Sequence, residues 1–235
     1  YPMAGTRSDD PNDRVDHEDR RDLRAHGVFF AWLDHTDAKE ANTLDTWIPI
    51  REDARLGYVR HYLVDFGKAL GAAGVNGRRP HAGWVHQWDY GYAAASLVTF
   101  GLWVRPWENR PASELRGVGR FSIEGYEPER WSPLRMWFPM RRMDRFDAFW
   151  ASKILMRFER EHLEAVVAEA KLSHPAASRY FVETLLGRQR KTARRWFRGV
   201  APFDGFSVEE EFGGTFRVCA TDLWRFYDFG DEPTA

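Results

Sequence analysis

The chain has 235 residues, 43% hydrophobic and 29% charged, which allows one large domain or two small ones with a real core and excludes a disordered tail or a fibrous repeat. Its 34 basic and 35 acidic side chains leave a formal charge of -1, so nucleic acid or an anionic membrane could be held only through a local patch. The single cysteine, Cys219, excludes an internal disulfide and a thiolate metal cluster, and the longest apolar run, Tyr92 to Val104, falls short of the roughly 20 residues that span a bilayer.

In chain order, residues 1 to 15 are polar and contain proline, and they read as a linker or arm. The opening Tyr1-Pro2, without an initiator Met, reads as a processed chain or a fragment. No signal peptide is visible. From Asp16, an N-cap candidate, to Leu33, the residues Leu23, Phe30 and Leu33 recur near helical spacing, with acidic residues at the start where the helix dipole favours them. Thr43 to Ile50 and Tyr58 to Val64 are rich in strand formers around a polar connection, which predicts a hairpin. Five glycines in the seventeen positions from Gly67 to Gly83 predict an irregular loop. Tyr92 to Val104 is apolar all round, as a buried helix or a buried strand would be.

Five prolines between Arg105 and Pro139 leave room for few regular elements. Two helices follow, Asp144 to Phe158 and Glu159 to Leu172, the second with Leu163, Val166, Val167 and Ala170 on one face. A third starts at His174-Pro175 and is interrupted at Gly187. Phe206 to Glu211 and Thr215 to Asp222 flank Gly213-Gly214 and predict a late hairpin. The 15% aromatic content, with 11 Trp and 17 Phe, fits a tightly packed core.

The informative segment is His35-Thr36-Asp37-Ala38-Lys39-Glu40-Ala41-Asn42, which reads His-x-Asp-x-Lys-x-x-Asn, with Asp65-Phe66-Gly67 following at the end of the second predicted strand. Four fixed residues at this spacing arise by chance in roughly one chain of this length in a thousand. The pair resembles the catalytic loop and metal-binding triplet of the protein-kinase-like superfamily, in which a helix leads into the loop and two short strands deliver the triplet.

The resemblance implies an α+β, mainly helical fold: the large lobe of the kinase-like architecture with two small hairpins. Residues 16 to 70 would carry the loop and triplet, and residues 71 to 235 a divergent, mostly helical part. Only 34 residues precede His35, so the ATP-covering small lobe is expected to be missing from this chain. The implied function is an ATP-dependent phosphotransferase using Mg²⁺, with an unspecified phosphoryl acceptor. Asp37 would orient the acceptor or act as its base, Lys39 would meet the transferring phosphoryl group, and Asn42 and Asp65 would hold the metal. The alternative is a pseudokinase-like nucleotide-binding or scaffold module without turnover. Thr36 stands where the resemblance expects Arg, and no Ala-Pro-Glu follows Gly67. ATP use and one cysteine favour the cytoplasm.

Other groups read as structural. His81, His86 and Asp89 are ordinary loop residues rather than a metal site. Gly117-Val118-Gly119 lacks the third glycine of a dinucleotide fingerprint. The second Asp-Phe-Gly, Asp228 to Gly230, follows no catalytic loop. Arg188, Lys191, Arg195 and Arg198 line one helix face and read as solvated, with Trp196 and Phe197 toward the core; nucleic-acid binding is not expected from them. His61 either orients the catalytic loop or bonds a backbone carbonyl.

Overall fold

A computed structural model of the chain describes residues 2–4, 19–52, 55–72, 82–84, 90–104 and 113–230. The fold is α+β and mainly helical, with two small antiparallel sheets. The first sheet joins β1 (Pro2–Ala4), β2 (Thr43–Pro49) and β3 (Gly57–Leu63) in the order β1-β2-β3. Pro2 to Ala4 is thus an edge strand paired with Leu44 to Thr46, where the polar composition had predicted only an arm. The β2–β3 hairpin has the expected partners, with Thr43 opposite Leu63 and Ile48 opposite Tyr58.

The predicted helix from Asp16 to Leu33 is two short helices, α1 (Arg21–Arg24) and α2 (His26–Leu33), and residues 16–18 lie outside the described set. Leu23 and Phe30 are buried as their spacing required. In the second half, α4 (Arg145–Leu155) and α6 (Pro175–Phe197) pack against α2 and each other, and α5 (Arg160–Glu169) packs against α6. Ala148 and Ala151 let α4 approach closely, and Val28, Trp32, Leu155, Leu163, Phe181, Val182 and Leu185 fill the core between the four helices. Asp144 caps α4 by accepting from the Phe146 and Asp147 amides at 2.8 Å. The Asp147 carboxylate in turn receives Arg24 through two hydrogen bonds of 2.6 and 2.8 Å, which ties α1 to α4.

Several expectations are corrected. Gly187 does not interrupt α6, because its missing side chain is where Ile123 packs, and the 23-residue helix gains more from its buried face than one glycine costs. Val166 is exposed, while Leu163 and Val167 carry the buried face of α5. Within Tyr92 to Val104 the regular element is a helix, α3 (Tyr90–Val98), and none of its residues is buried. Uniform apolarity reports composition and not location, and here Leu97, Val98, Phe100 and Leu102 all face outward. Arg188 is buried rather than solvated.

Irregular chain fills the described part of the Pro-rich middle, ending in a 3-10 turn at Phe138–Arg142. Here Gly117 turns the chain at φ 87°, and Gly119 lies against the Gly71 backbone, where a side chain would collide. The late hairpin pairs β4 (Phe203–Glu211) with β5 (Thr215–Asp222) across Gly213 and Gly214, at φ 92° and 77°. α7 (Leu223–Phe226) follows, and Phe229 of the second Asp-Phe-Gly packs with Ala193, Phe197, Leu223 and Trp224. Among the described residues no helix is long and apolar enough to cross a membrane. His81, His86, Asp89 and the glycine-rich stretch 73–81 lie outside the described residues.

Candidate functional site

The motif begins where α2 stops. Asp34 adopts the left-handed conformation at φ 55°, so the chain reverses and the His35 amide donates back to the Phe30 carbonyl at 2.8 Å. Two carbonyls of the last turn are open to a further donor: Ala31 receives only the Asp34 amide, at 3.1 Å, and Trp32 has no main-chain partner among the described residues. Arg188 of α6 supplies that donor to both, with Nη2 donating to Ala31 at 2.6 Å and Nε to Trp32 at 2.8 Å. Its guanidinium lies 3.6 Å from the centre of the Tyr126 ring, which adds a cation–π contact. Trp131 Nε1 donates to the Asp34 carboxylate at 2.9 Å and fixes the turn from the other side.

From there the two motif segments are fastened to each other through main-chain bonds. Thr36 N–H donates to the Lys68 carbonyl at 3.2 Å, Val64 N–H to the Asn42 carbonyl at 2.9 Å, and Leu70 N–H to the Leu33 carbonyl at 2.7 Å. Thr36, in place of the Arg of the resemblance, is 2% exposed, and the Leu134 amide bonds its carbonyl at 2.9 Å. Ala38 anchors the loop in a small core with Leu23, Phe30, Trp137 and Met140.

The side chains follow. His35 is buried between Phe30 and Phe66, with ring centroids 4.9 and 5.2 Å away, so the histidine of the loop and the aromatic of the triplet pack together. Burial pushes His35 below its ordinary titration range although Asp37 and Asp65 pull the other way, and its Nδ1 has no hydrogen-bond partner. Asn42 Nδ2 donates to the Asp37 carbonyl at 2.8 Å, closing the loop on itself and leaving Oδ1 as its spare acceptor. Asp65 stands at φ 59°, exposed, and one of its oxygens accepts from the Gly67 amide at 3.3 Å.

Asp37 is buried and receives two ammonium groups on one oxygen: Lys39 Nζ at 3.0 Å and Lys68 Nζ at 2.9 Å from Oδ2. Burial alone would push its carboxyl up, but the hydrogen bonds from Lys68 and Lys39 outweigh that and hold it below the usual carboxylate range. Lys68 is the residue that sequence reasoning missed. Its only signal was its place directly after Asp65-Phe66-Gly67.

Among the described residues no three His, Cys, Asp or Glu side chains form a metal-holding group. The residues that the resemblance names as metal holders offer one carboxylate, from Asp65, and one amide oxygen, from Asn42. Two oxygen donors suit Mg²⁺, which keeps several waters and takes phosphate oxygens for the rest.

The other candidates lie elsewhere in the fold. Lys191 donates to the Ile123 carbonyl at 2.8 Å, and Arg195 pairs with Glu129, so the basic stripe is divided among separate partners. His61 lies on β3 opposite Asp45. Asp228-Phe229-Gly230 closes the core below α6, with the Gly230 carbonyl accepting from Trp224 Nε1 at 3.0 Å. Comparison with family models, curated proteins and solved structures finds no match for the chain.

Proposed function

We propose that this chain carries the catalytic loop and metal-binding segment of an ATP-dependent, Mg²⁺-using phosphotransferase resembling the protein-kinase-like superfamily, and that its helical body corresponds to the large lobe. The observation that carries this reading is the joint packing of two motifs separated in sequence. Thr36 and Lys68, Asn42 and Val64, and His35 and Phe66 meet in pairs, so the segment that carries Asp37 and Asn42 is fastened to the segment that carries Asp65.

Phosphoryl transfer needs little covalent help from the protein and much positioning. Asp37 suits acceptor orientation because it stays ionised, and Asn42 is locked by its bond to the Asp37 carbonyl. With Mg²⁺ bound through Asn42 and Asp65, the metal would neutralise phosphate charge. Neutral His35 serves as packing between helix and triplet rather than as a proton carrier. The double ion pair on Asp37 also supports a second reading, a pseudokinase-like module that binds nucleotide without turnover, since an acceptor hydroxyl must compete with two lysines for that carboxylate.

Calorimetry with Mg·ATP and an ATP hydrolysis assay on the full-length protein separate the possibilities. Asp65→Asn is expected to abolish Mg²⁺-dependent nucleotide binding. Asp37→Asn is expected to retain that binding, without loss of affinity, and to lower turnover by about 10²- to 10⁴-fold, the range of general-base contributions. If both variants match the parent, the phosphotransfer reading is wrong; if the parent binds through Asp65 but never turns over, the pseudokinase reading replaces it.

A further inference from the structure

Lys68 gives the site a second positive group. Its ammonium and that of Lys39 reach Asp37 from different segments, one within the loop and one just past the triplet, and both end on Oδ2. Asp37 offsets one of these two charges, and the site's other carboxylate, Asp65, accepts from the Gly67 amide rather than from either lysine. The Lys68 side chain is 41% exposed and that of Lys39 27%, against 8% for Asp37, so both lysine side chains are more open to solvent than the carboxylate they share. Each ammonium has three donors, and a single acceptor atom cannot use them all. Buried, neutral His35 adds no further cation.

We infer that Lys39 and Lys68 together form an anion cradle over Asp37 that takes the terminal phosphate of a polyphosphate chain. This deepens the phosphotransfer reading and rests on it for its biological sense, but it adds a residue, Lys68, and a mechanism. Asp37 acts as the stand-in anion: it holds the two lysines in place until a phosphate oxygen replaces it. Carboxylate and phosphate therefore compete for the same donors. The Lys68 backbone is a separate matter, since its carbonyl accepts from Thr36 whatever side chain the residue carries.

The competition fixes the sign of a test. The chain is titrated calorimetrically with sodium tripolyphosphate in EDTA at low ionic strength, where screening is weak and no metal takes part. Lys68→Ala and Lys39→Ala are each expected to weaken binding about tenfold, the scale of one lost charge-assisted hydrogen bond. Lys68→Arg should recover most of the loss. Arg195→Ala, which removes one positive charge elsewhere on α6, should change it less than about twofold. Asp37→Asn should tighten binding, because the competing anion is gone, whereas a Lys68 that only neutralises Asp37 predicts no gain. Unchanged thermal unfolding shows that the variants are folded.

No binding by the parent, a Lys68→Ala effect no larger than that of Arg195→Ala, or weaker binding by Asp37→Asn overturns the proposal. Failure of this inference and of the phosphotransfer reading are distinguishable. Lysine-dependent tripolyphosphate binding without Asp65-dependent Mg·ATP binding keeps the cradle and removes the kinase-like function, and the reverse pattern removes the cradle alone.

Discussion

Arg188→Met tests the idea that a buried cation on α6 builds the start of the motif loop. Arg188 is 4% exposed, and its guanidinium donates to the carbonyls of Ala31, Trp32 and Ser122 at 2.6, 2.8 and 3.1 Å. Methionine keeps much of the stem's volume but leaves three carbonyls without this donor. Hydrogen bonds to charged groups are worth about 1.5 to 3 kcal/mol each and are not additive, so a net loss of about 3 to 5 kcal/mol is expected. That is a large share of the roughly 5 to 15 kcal/mol by which folded domains are stable. It corresponds to a fall in Tm of about 6 to 20 °C for a chain of this size. Urea unfolding followed by tryptophan fluorescence measures the loss, with Arg195→Ala as the exposed comparison, expected to stay within about 0.5 kcal/mol. An Arg188→Met loss below about 1 kcal/mol would refute the capping argument.

Two further outcomes follow from packing and burial. Gly187→Ala should destabilise by about 1 to 3 kcal/mol in thermal unfolding, although alanine is the better helix former by about 1 kcal/mol, because the added methyl meets Ile123; a stabilised variant would show that Ile123 yields freely. Burial pushes the Tyr126 hydroxyl up to about 12. In the unfolded chain it ionises near pH 10, so the folded state loses stability as pH rises from about 10 to 12, by about 3 kcal/mol in total. Tyr126→Phe should remove that part of the alkaline loss, and an unchanged alkaline limb in pH-dependent urea unfolding would count against it.

Where sequence reasoning worked, a local rule coincided with the tertiary demand. The hairpins carried their strand formers and turn glycines in order, and Asp144 and Glu159 stood at true helix starts. Asp37, Asn42 and Asp65 stand out in the sequence because a fixed spacing leaves a pattern in one dimension, and the fold adds that their two segments are bonded together. Lys68 had no such pattern: its role depends on a flexible side chain reaching across to another segment. Arg188 and Arg195 looked alike on one face, yet a helix surface divides into contact and solvent only when its neighbours are known. The seven-position offset separates a core donor from a surface ion pair. Tyr92 to Val104 differs for the opposite reason, since strong apolarity states only that burial would be favourable, and no residue of this stretch is buried.

The same asymmetry explains why the motif loop depends on residues without any motif character. Asp37, Asn42 and Asp65 have short side chains, so their oxygens go where the backbone carries them, and a displacement near 1 Å can cost about a hundredfold in a positioning-dependent reaction. The backbone at this point is set by the end of α2, because Asp34 turns left-handed and His35 returns to the Phe30 carbonyl. That end is held from both directions by α6: Arg188 donates to Trp32, and Trp32 Nε1 donates back to the Leu185 carbonyl at 2.9 Å. Precision at the loop is therefore a property of the α2–α6 contact. Loosening that contact should displace Asp37 and the Lys39–Lys68 cradle together, while the Asp65 turn, closed by its own Gly67 amide, keeps its local shape.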